Sequence, residues 1–353
     1  MQRAHIIALL EERFPLSLAE EWDQCGLQVG DENSDCQRVL VALDLDLQHL
    51  ALLPEVDLVV THHPLLFRPI SRVCAATPLG RKLQALLEHD VALFSLHTPY
   101  DVAQGGLGEI LAGYLGLTGT KPLLPRGGLV KLVVFVPVGY EERVANALFA
   151  AGAGKIGKYG HCSFRTKGTG TFLPEEGARP FLGQVGQEEH VEEIRLETII
   201  PAERVARALK AMRAVHPYEE VAYDLYPLAN NPTLHGLGRI GDLPERVSLS
   251  QVLQGFAQRL GVDGPRAVVG RWDQEIQRVA VCGGSGGDLV PQAIASGAEL
   301  YITGEASYHR LKEAEEAGLT VALFGHAETE KPFVSHIAGL LRAECPKVEV
   351  MEG

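Results

Sequence analysis

Short, strongly apolar runs rich in β-branched residues alternate with amphipathic stretches at both ends of the chain. In the first third the runs are Arg38–Asp46, Val56–His63 and Val91–His97. In the last third they are Gln277–Gly283, Ala298–Gly304 and Thr320–His326. Each is apolar nearly throughout, which predicts strands buried on both faces. Helical periodicity separates them at Pro78–Glu88, Asp288–Ser296, Tyr308–Ala317 and Thr329–Ala343. The alternation predicts an α/β fold whose sheets carry helices on both sides.

The two ends also resemble each other. Gln-Arg-Val occurs at 37–39 and again at 277–279, and Val-Ala-Leu-Phe at 91–94 and 321–324. Shortly after each second string comes a histidine and, four residues on, a carboxylate: His97 with Asp101, and His326 with Glu330. The shared order predicts two similar α/β half-domains and not a short-period solenoid.

The middle follows another plan. Strand Val130–Pro137, helix Glu141–Ala151, two short strands His161–Arg165 and Gly170–Leu173, strand Glu193–Ile200, helix Pro201–Val215 with Pro201 at its first position, and strand Glu219–Tyr226 succeed one another. If the two short strands form one arm, this is the β-α-β-β-α-β order of a ferredoxin-like α+β unit. Turn-rich flanks set the expected boundaries: residues 1–127 and 232–353 as the core, 128–231 as an inserted domain.

Charge and composition narrow the function. The 353 residues carry a formal net charge of −13, which disfavours binding to a nucleic acid backbone. No apolar run approaches the about 18 residues of a membrane span. The N-terminal amphipathic stretch, interrupted by Glu11 and Glu12, does not read as a signal peptide. Six scattered cysteines without a CxxC pair argue against a disulfide scaffold or a thiolate zinc site. A cytoplasmic protein is expected.

The candidate chemistry lies at strand ends. His62 and His63 close a strand that Pro64 stops, where open α/β sheets place ligands. His326 and Glu330, at i and i+4, share a helical face, and Asp101 holds the matching place in the first half. Taken singly, each has a plain reading as a cap or a solvated first-turn residue. Together they are three imidazoles and two carboxylates, more ligands than one open catalytic ion takes, so two divalent ions are expected. Zinc, iron, manganese and nickel all suit such donors. His97 and Glu305, also at strand ends, are expected to orient ligands by hydrogen bonding. The glycine-rich Cys282–Asp288 turn can cradle an anion through its backbone amides, so Gly284, Ser285 and Gly286, with Arg68, are candidate substrate contacts. Its match to GxSxG lacks identifiable partners for a nucleophilic serine.

Trp22–Gly30 (WDQCGLQVG), Thr61–Pro69 (THHPLLFRP), Ser95–Ala112, Val281–Gly287, Thr303–His309 and Gly325–Lys331 resemble, in order, motifs of the NIF-three-like family, catalogued as GTP cyclohydrolase 1 type 2 homologues. The likeness covers nearly the whole chain. His216–Leu228 (HPYEEVAYDLYPL) is similar to the longer bacterial members, whose insert resembles PII and CutA-like proteins. The resemblance implies a dinuclear site on His62, His63, Asp101, His326 and Glu330. It also implies a toroidal homohexamer with the sites facing its cavity. The activity it implies is metal-dependent hydrolysis: activated water attacks the purine ring of a nucleotide or a related small molecule, and Asp101 or Glu330 shuttles the proton. A non-catalytic hexameric metal-binding scaffold or regulator is the alternative. This chain has His97-Thr-Pro-Tyr-Asp101 where the family more often has HTNLD, and His326-Ala-Glu-Thr-Glu330 where GHxxSE is usual. Both departures keep the ligands and place Tyr100 and Glu328 near the pocket.

Overall fold

A computed structural model describes residues 1–229 and 235–353. The chain divides into two compact units, Met1–Pro125 with Leu234–Gly353, and Arg126–Thr233. The boundary expected between residues 231 and 232 lies outside the described residues.

In the first unit, Arg38–Ala42, Leu58–Thr61 and Ala92–Ser95 form three adjacent parallel strands. Gly26–Val29 pairs antiparallel with the last of these, and the C-terminal Glu349–Glu352 pairs parallel with the first. A second sheet repeats the plan: Glu275–Cys282, Leu300–Thr303 and Thr320–Leu323 are adjacent and parallel, and Ala267–Val269 lies antiparallel beside the last. His235–Ser248 and Thr118–Arg126 extend its other edge. The Val-Ala-Leu-Phe strings fall on the third parallel strand of each sheet.

The side-chain alternation explains why these strands are apolar throughout. Val39, Val41, Leu58, Val60 and Phe94 point to one face, and Val279, Val281, Leu300, Ile302 and Phe324 do likewise in the second sheet. Both sets join a single core with helices Arg3–Arg13, Leu107–Tyr114, Leu249–Leu260 and Pro332–Glu344. The opposite faces have their own covers. Leu40, Val59 and Leu93 pack with Leu53 and with Leu86 of helix Pro78–Glu88, and Ala280, Tyr301 and Val321 with Val290 and Ala314 of helices Val290–Ala295 and Tyr308–Glu316. Helices therefore lie between the two sheets and on both outer faces.

The second unit runs strand Leu129–Pro137, helix Glu141–Ala150, strand Ser163–Phe172, strand Glu189–Pro201, helix Val205–Val215, strand Tyr223–Pro227. Its sheet is antiparallel, with Leu129–Pro137 between Glu189–Pro201 and Tyr223–Pro227. Three expectations need correction here. His161–Arg165 and Gly170–Leu173 are not two strands: Ser163–Phe172 is one, and Gly168 and Gly170 stay in register opposite Glu193 and Val191. Pro201 ends a strand instead of opening a helix, because a 3-10 turn at Ala202–Arg204 intervenes. The last strand starts at Tyr223, since His216 to Ala222 forms a turn.

In the first unit, the helix expected over Thr329–Ala343 is two, His326–Glu330 and Pro332–Glu344. Pro332 sits at the first position of the second, where its missing N–H costs nothing. No described helix is long and apolar enough to cross a membrane.

Candidate metal centre

The strand ends bring the polar residues together. His62 and His63 follow Leu58–Thr61, and their amides continue the ladder to Ala42 O (3.3 Å) and Leu43 O (3.0 Å). His97 N bonds to His62 O at 3.0 Å and opens helix His97–Val102, which carries Asp101 one turn later. From the other sheet, Thr320–Leu323 runs through Gly325, at φ 100°, into helix His326–Glu330. That positive φ is glycine territory, and a Cβ there would stand 2.2 Å from a Glu328 carboxylate oxygen.

Three imidazoles are oriented alike. Nδ1 of His63 faces both Asp44 carboxylate oxygens at 3.1 Å. Nδ1 of His97 faces Asp23 Oδ1 at 2.8 Å, and Nδ1 of His326 faces Glu305 Oε1 at 2.9 Å. Each carboxylate fixes a tautomer and leaves Nε2 as the inward-facing nitrogen, the arrangement that prepares histidine as a ligand. Glu330 lies among them: Oε2 is 3.0 Å from His63 Nε2 and 3.1 Å from His326 Nε2, and Oε1 is 3.7 Å from His62 Nε2. Asp101 Oδ1 approaches His62 Nε2 at 3.7 Å.

Two triads fit an ion by distance. Ring nitrogens of His62, His63 and His97 lie within 4.8 Å of one another, and so do ligand atoms of His63, His326 and Glu330. The donors also need one. His62 has no solvent exposure, and neither of its ring nitrogens has a hydrogen-bond partner; Asp101 Oδ1 is buried and equally unsatisfied, while Glu330 Oε2 is ion-paired to His63 and His326 without a well-aligned hydrogen bond. Buried polar atoms left this way cost free energy, and a cation removes the cost for several at once.

The electrostatics agree. Burial lowers the His62 pKa, so this imidazole is neutral and ready to donate a lone pair. Burial opposes charge on His63, but Asp44 and Glu330 overcome it and raise the pKa to about 10. Glu330 lifts His326 to about 9 against burial, with help from Glu305. Burial opposes ionisation of Glu330 as well, yet the three surrounding histidines hold its carboxyl far below the usual range. Asp101 goes the other way, raised by burial and by the Glu330 charge. Without a cation the site thus stores protons that an ion would displace.

Asp23 and Asp44, which orient His97 and His63, were not singled out by the sequence patterns. Asp44 lies in the run Arg38–Asp46, two residues past the strand Arg38–Ala42, so its place just beyond a strand end was the available signal. His97, expected only to orient ligands, has its own nitrogen in the first triad. The glycine turn needs correction. The amides of Gly284 and Gly286 already donate to Thr329 Oγ1 (2.9 Å) and Thr303 Oγ1 (3.1 Å), so they do not cradle an anion. Glycine is needed for packing, because a Cβ on Gly284 would stand 2.0 Å from Glu330 Oε1. Ser285 is exposed and lines a cleft with Glu305 and Arg310. Arg68 is exposed on the loop after His63. In the same loop Phe67 meets Trp22 edge-on at 5.9 Å, and the Trp22 ring reaches His97 at 5.7 Å.

The model of Duf34/NIF3 (NGG1p interacting factor 3) matches residues 1–352. The chain belongs to the Duf34/NIF3 family. Within that family it is 42% identical over 325 residues to the GTP cyclohydrolase 1 type 2 homolog of Bacillus subtilis, covering 91% of this chain and 87% of the relative. It is 39% identical over 350 residues to the protein of the same name from Mycobacterium tuberculosis, covering 96% and 91%. The crystal structure of a Bacillus cereus protein related to NIF3 is similar over 100% of this chain and 96% of that one, with 40% identity and a TM-score of 0.68.

Proposed function

We propose that this Duf34/NIF3 protein is a dinuclear metal-dependent hydrolase acting on a purine nucleotide or a related ring. The observation that carries the reading is the convergence of the Nε2 atoms of His62, His63 and His326 on Glu330, with His97 joining His62 and His63 in a second cluster and carboxylates orienting His63, His97 and His326. His62, His63, Asp101, His326 and Glu330 would hold the ions, with His63 common to the two triads and His97 as a sixth donor. Divalent ions in such a site supply positive charge that acidifies water and polarises an electrophile. Asp101 or Glu330 would shuttle the proton, and Asp23, Asp44 and Glu305 keep the imidazoles aimed. Trp22, 54% exposed, and Phe67, 44% exposed, offer aromatic faces beside His97 on which a planar base stacks. Arg68 and Ser285 are the candidate phosphate contacts.

The repeated strand order supports descent of the two sheets from related half-domains, and the β-α-β-β-α-β order of the middle unit supports reading it as a ferredoxin-like, PII- or CutA-like insert. A homohexamer completes the reading, as a closed particle of about 230 kDa, six times 38.2 kDa. Elemental analysis and turnover of GTP test the core of it. Two ions per chain are expected, together with loss of turnover in His326→Ala. At most one ion, unchanged by Asp101→Ala and Glu330→Ala, rejects the dinuclear site. Two ions without turnover on GTP or other nucleotides favours a metal-binding scaffold.

A further inference from the structure

The second unit contains a cavity of about 470 Å³ at one end of its sheet, a size suited to a small ligand. It lies among the strand residues Phe135, Phe172 and Glu193, the turn carrying Tyr218, and the connection after Phe172 that carries Phe181. The rings gather around it: Tyr218 stands 6.2 Å from Phe172 and 6.3 Å from Phe181, centroid to centroid.

Its charge is one-sided. Glu193 is only 8% exposed, and among the described residues the one hydrogen-bond partner of its carboxylate is the Tyr218 hydroxyl, which donates to Oε1 at 2.9 Å. Glu175, Glu219 and Glu220 add carboxylates to the lining, which contains no lysine, arginine or histidine among the described residues. The strand opposite makes room for the buried acid, because a Cβ on Gly170 would fall 2.1 Å from Glu193 Oε2.

We propose that this cavity binds an amphipathic organic cation, an amine or amidinium on an apolar body, with its head at Glu193 and its body among the rings. A neutral occupant would strip water from a carboxylate that has no counter-charge, and an anion would be repelled. A bare metal ion would find one buried carboxylate and waste the aromatic walls. An organic cation satisfies both, since its N–H groups bond the carboxylate and its charge is attracted to the ring faces.

Benzamidine, benzamide and benzoate share a shape and differ in charge, so titration calorimetry on the full chain decides. Benzamidine is expected to bind once per chain at roughly millimolar strength, usual for so small a ligand. Benzamide should bind at least tenfold more weakly and benzoate not at all. Glu193→Gln should erase the preference for benzamidine. Tyr218→Phe, which removes the competing hydroxyl, should tighten benzamidine severalfold, and Glu330→Gln should leave its binding unchanged. Equal binding of benzamide, no benzamidine binding at tens of millimolar, or a Glu193→Gln chain that still prefers the cation would each overturn the proposal. So would Phe181→Ala lowering the particle mass in light scattering, since another copy of the chain would then fill the cavity. Should Glu193→Gln fail to fold by circular dichroism, the Tyr218→Phe result and the ligand series still decide.

Discussion

His63 and His326 show how the candidate metal centre couples to pH. Their pKa values, about 10 and about 9, lie above the ordinary imidazole value. Protonation therefore stabilises the metal-free fold: the contribution is full below about pH 6.5 and is lost as pH rises through 9 to 10. A metal ion competes for the same nitrogens, so its affinity rises over the same window. We expect the melting temperature of chelator-stripped protein to fall between pH 7 and 10, while divalent ions bind more tightly and release protons. Calorimetry in buffers of different ionisation enthalpy measures both, and a stripped protein that gains stability with pH would contradict these ion pairs. Gly284 gives a second test. At φ 59° a side chain is strained by about 1–2 kcal/mol, and its Cβ would push on Glu330. Gly284→Ala should lower metal content while leaving a folded chain, as elemental analysis and circular dichroism will report. Strand-end position made the clustered candidate ligands legible in the sequence. Asp23 was not legible, because a lone aspartate in a loop carries no pattern until His97, 74 positions on, is seen to face it.

Helix Leu107–Tyr114 and strand His235–Ser248 are tied by one buried guanidinium. Arg239, 1% exposed, donates to Gly236 O at 2.7 Å, to Gly238 O at 2.8 Å and to Glu109 Oε1 at 3.2 Å. Removing a buried charged partner strands the groups it served, at a cost of roughly 3–5 kcal/mol. Arg239→Met should lower the urea midpoint accordingly, with metal content intact because the arginine touches none of the metal donors. A change within 0.5 kcal/mol would mean that water replaces it. Elements of this kind were only partly readable from the sequence. The buried parallel strands announce themselves by continuous apolar runs, though the expected spans overran where Asp44, His62 and His97 turn away from the sheet. Gly26–Val29 and Glu349–Glu352 left no such mark. They are four residues each, and they pair with residues 64 or more positions away, so tertiary contact and not local pattern makes them strands.

The ends of the second unit emerge from neighbouring strands of the second sheet, Thr118–Arg126 and His235–Ser248. A Cβ on Gly236 would come within 2.4 Å of Leu124 O, so the two strands run close together where the unit leaves and returns. A short Gly/Ser linker can join them as a hairpin. We expect a chain lacking residues 126–233 to fold and to bind metal at full stoichiometry, since every proposed ligand lies in the first unit. Insoluble or metal-free product would show that the second unit is needed to build the first. The repeated motifs in the sequence pointed to kinship between the chain ends, while the strand order that repeats with them needed the coordinates.

The proposed ligands come from both sheets, and His63 and His326 stand 263 positions apart along the chain. A nascent chain can present His62, His63, His97 and Asp101 long before Glu330 has been synthesised. In the dinuclear reading, capture of ions by the complete set would therefore come late in folding, and its binding energy would tie residues of the two sheets together. Limited proteolysis of chelator-stripped protein is therefore expected to cut first in the segments that carry these residues, and a cleavage pattern unchanged by stripping would argue against such a tie.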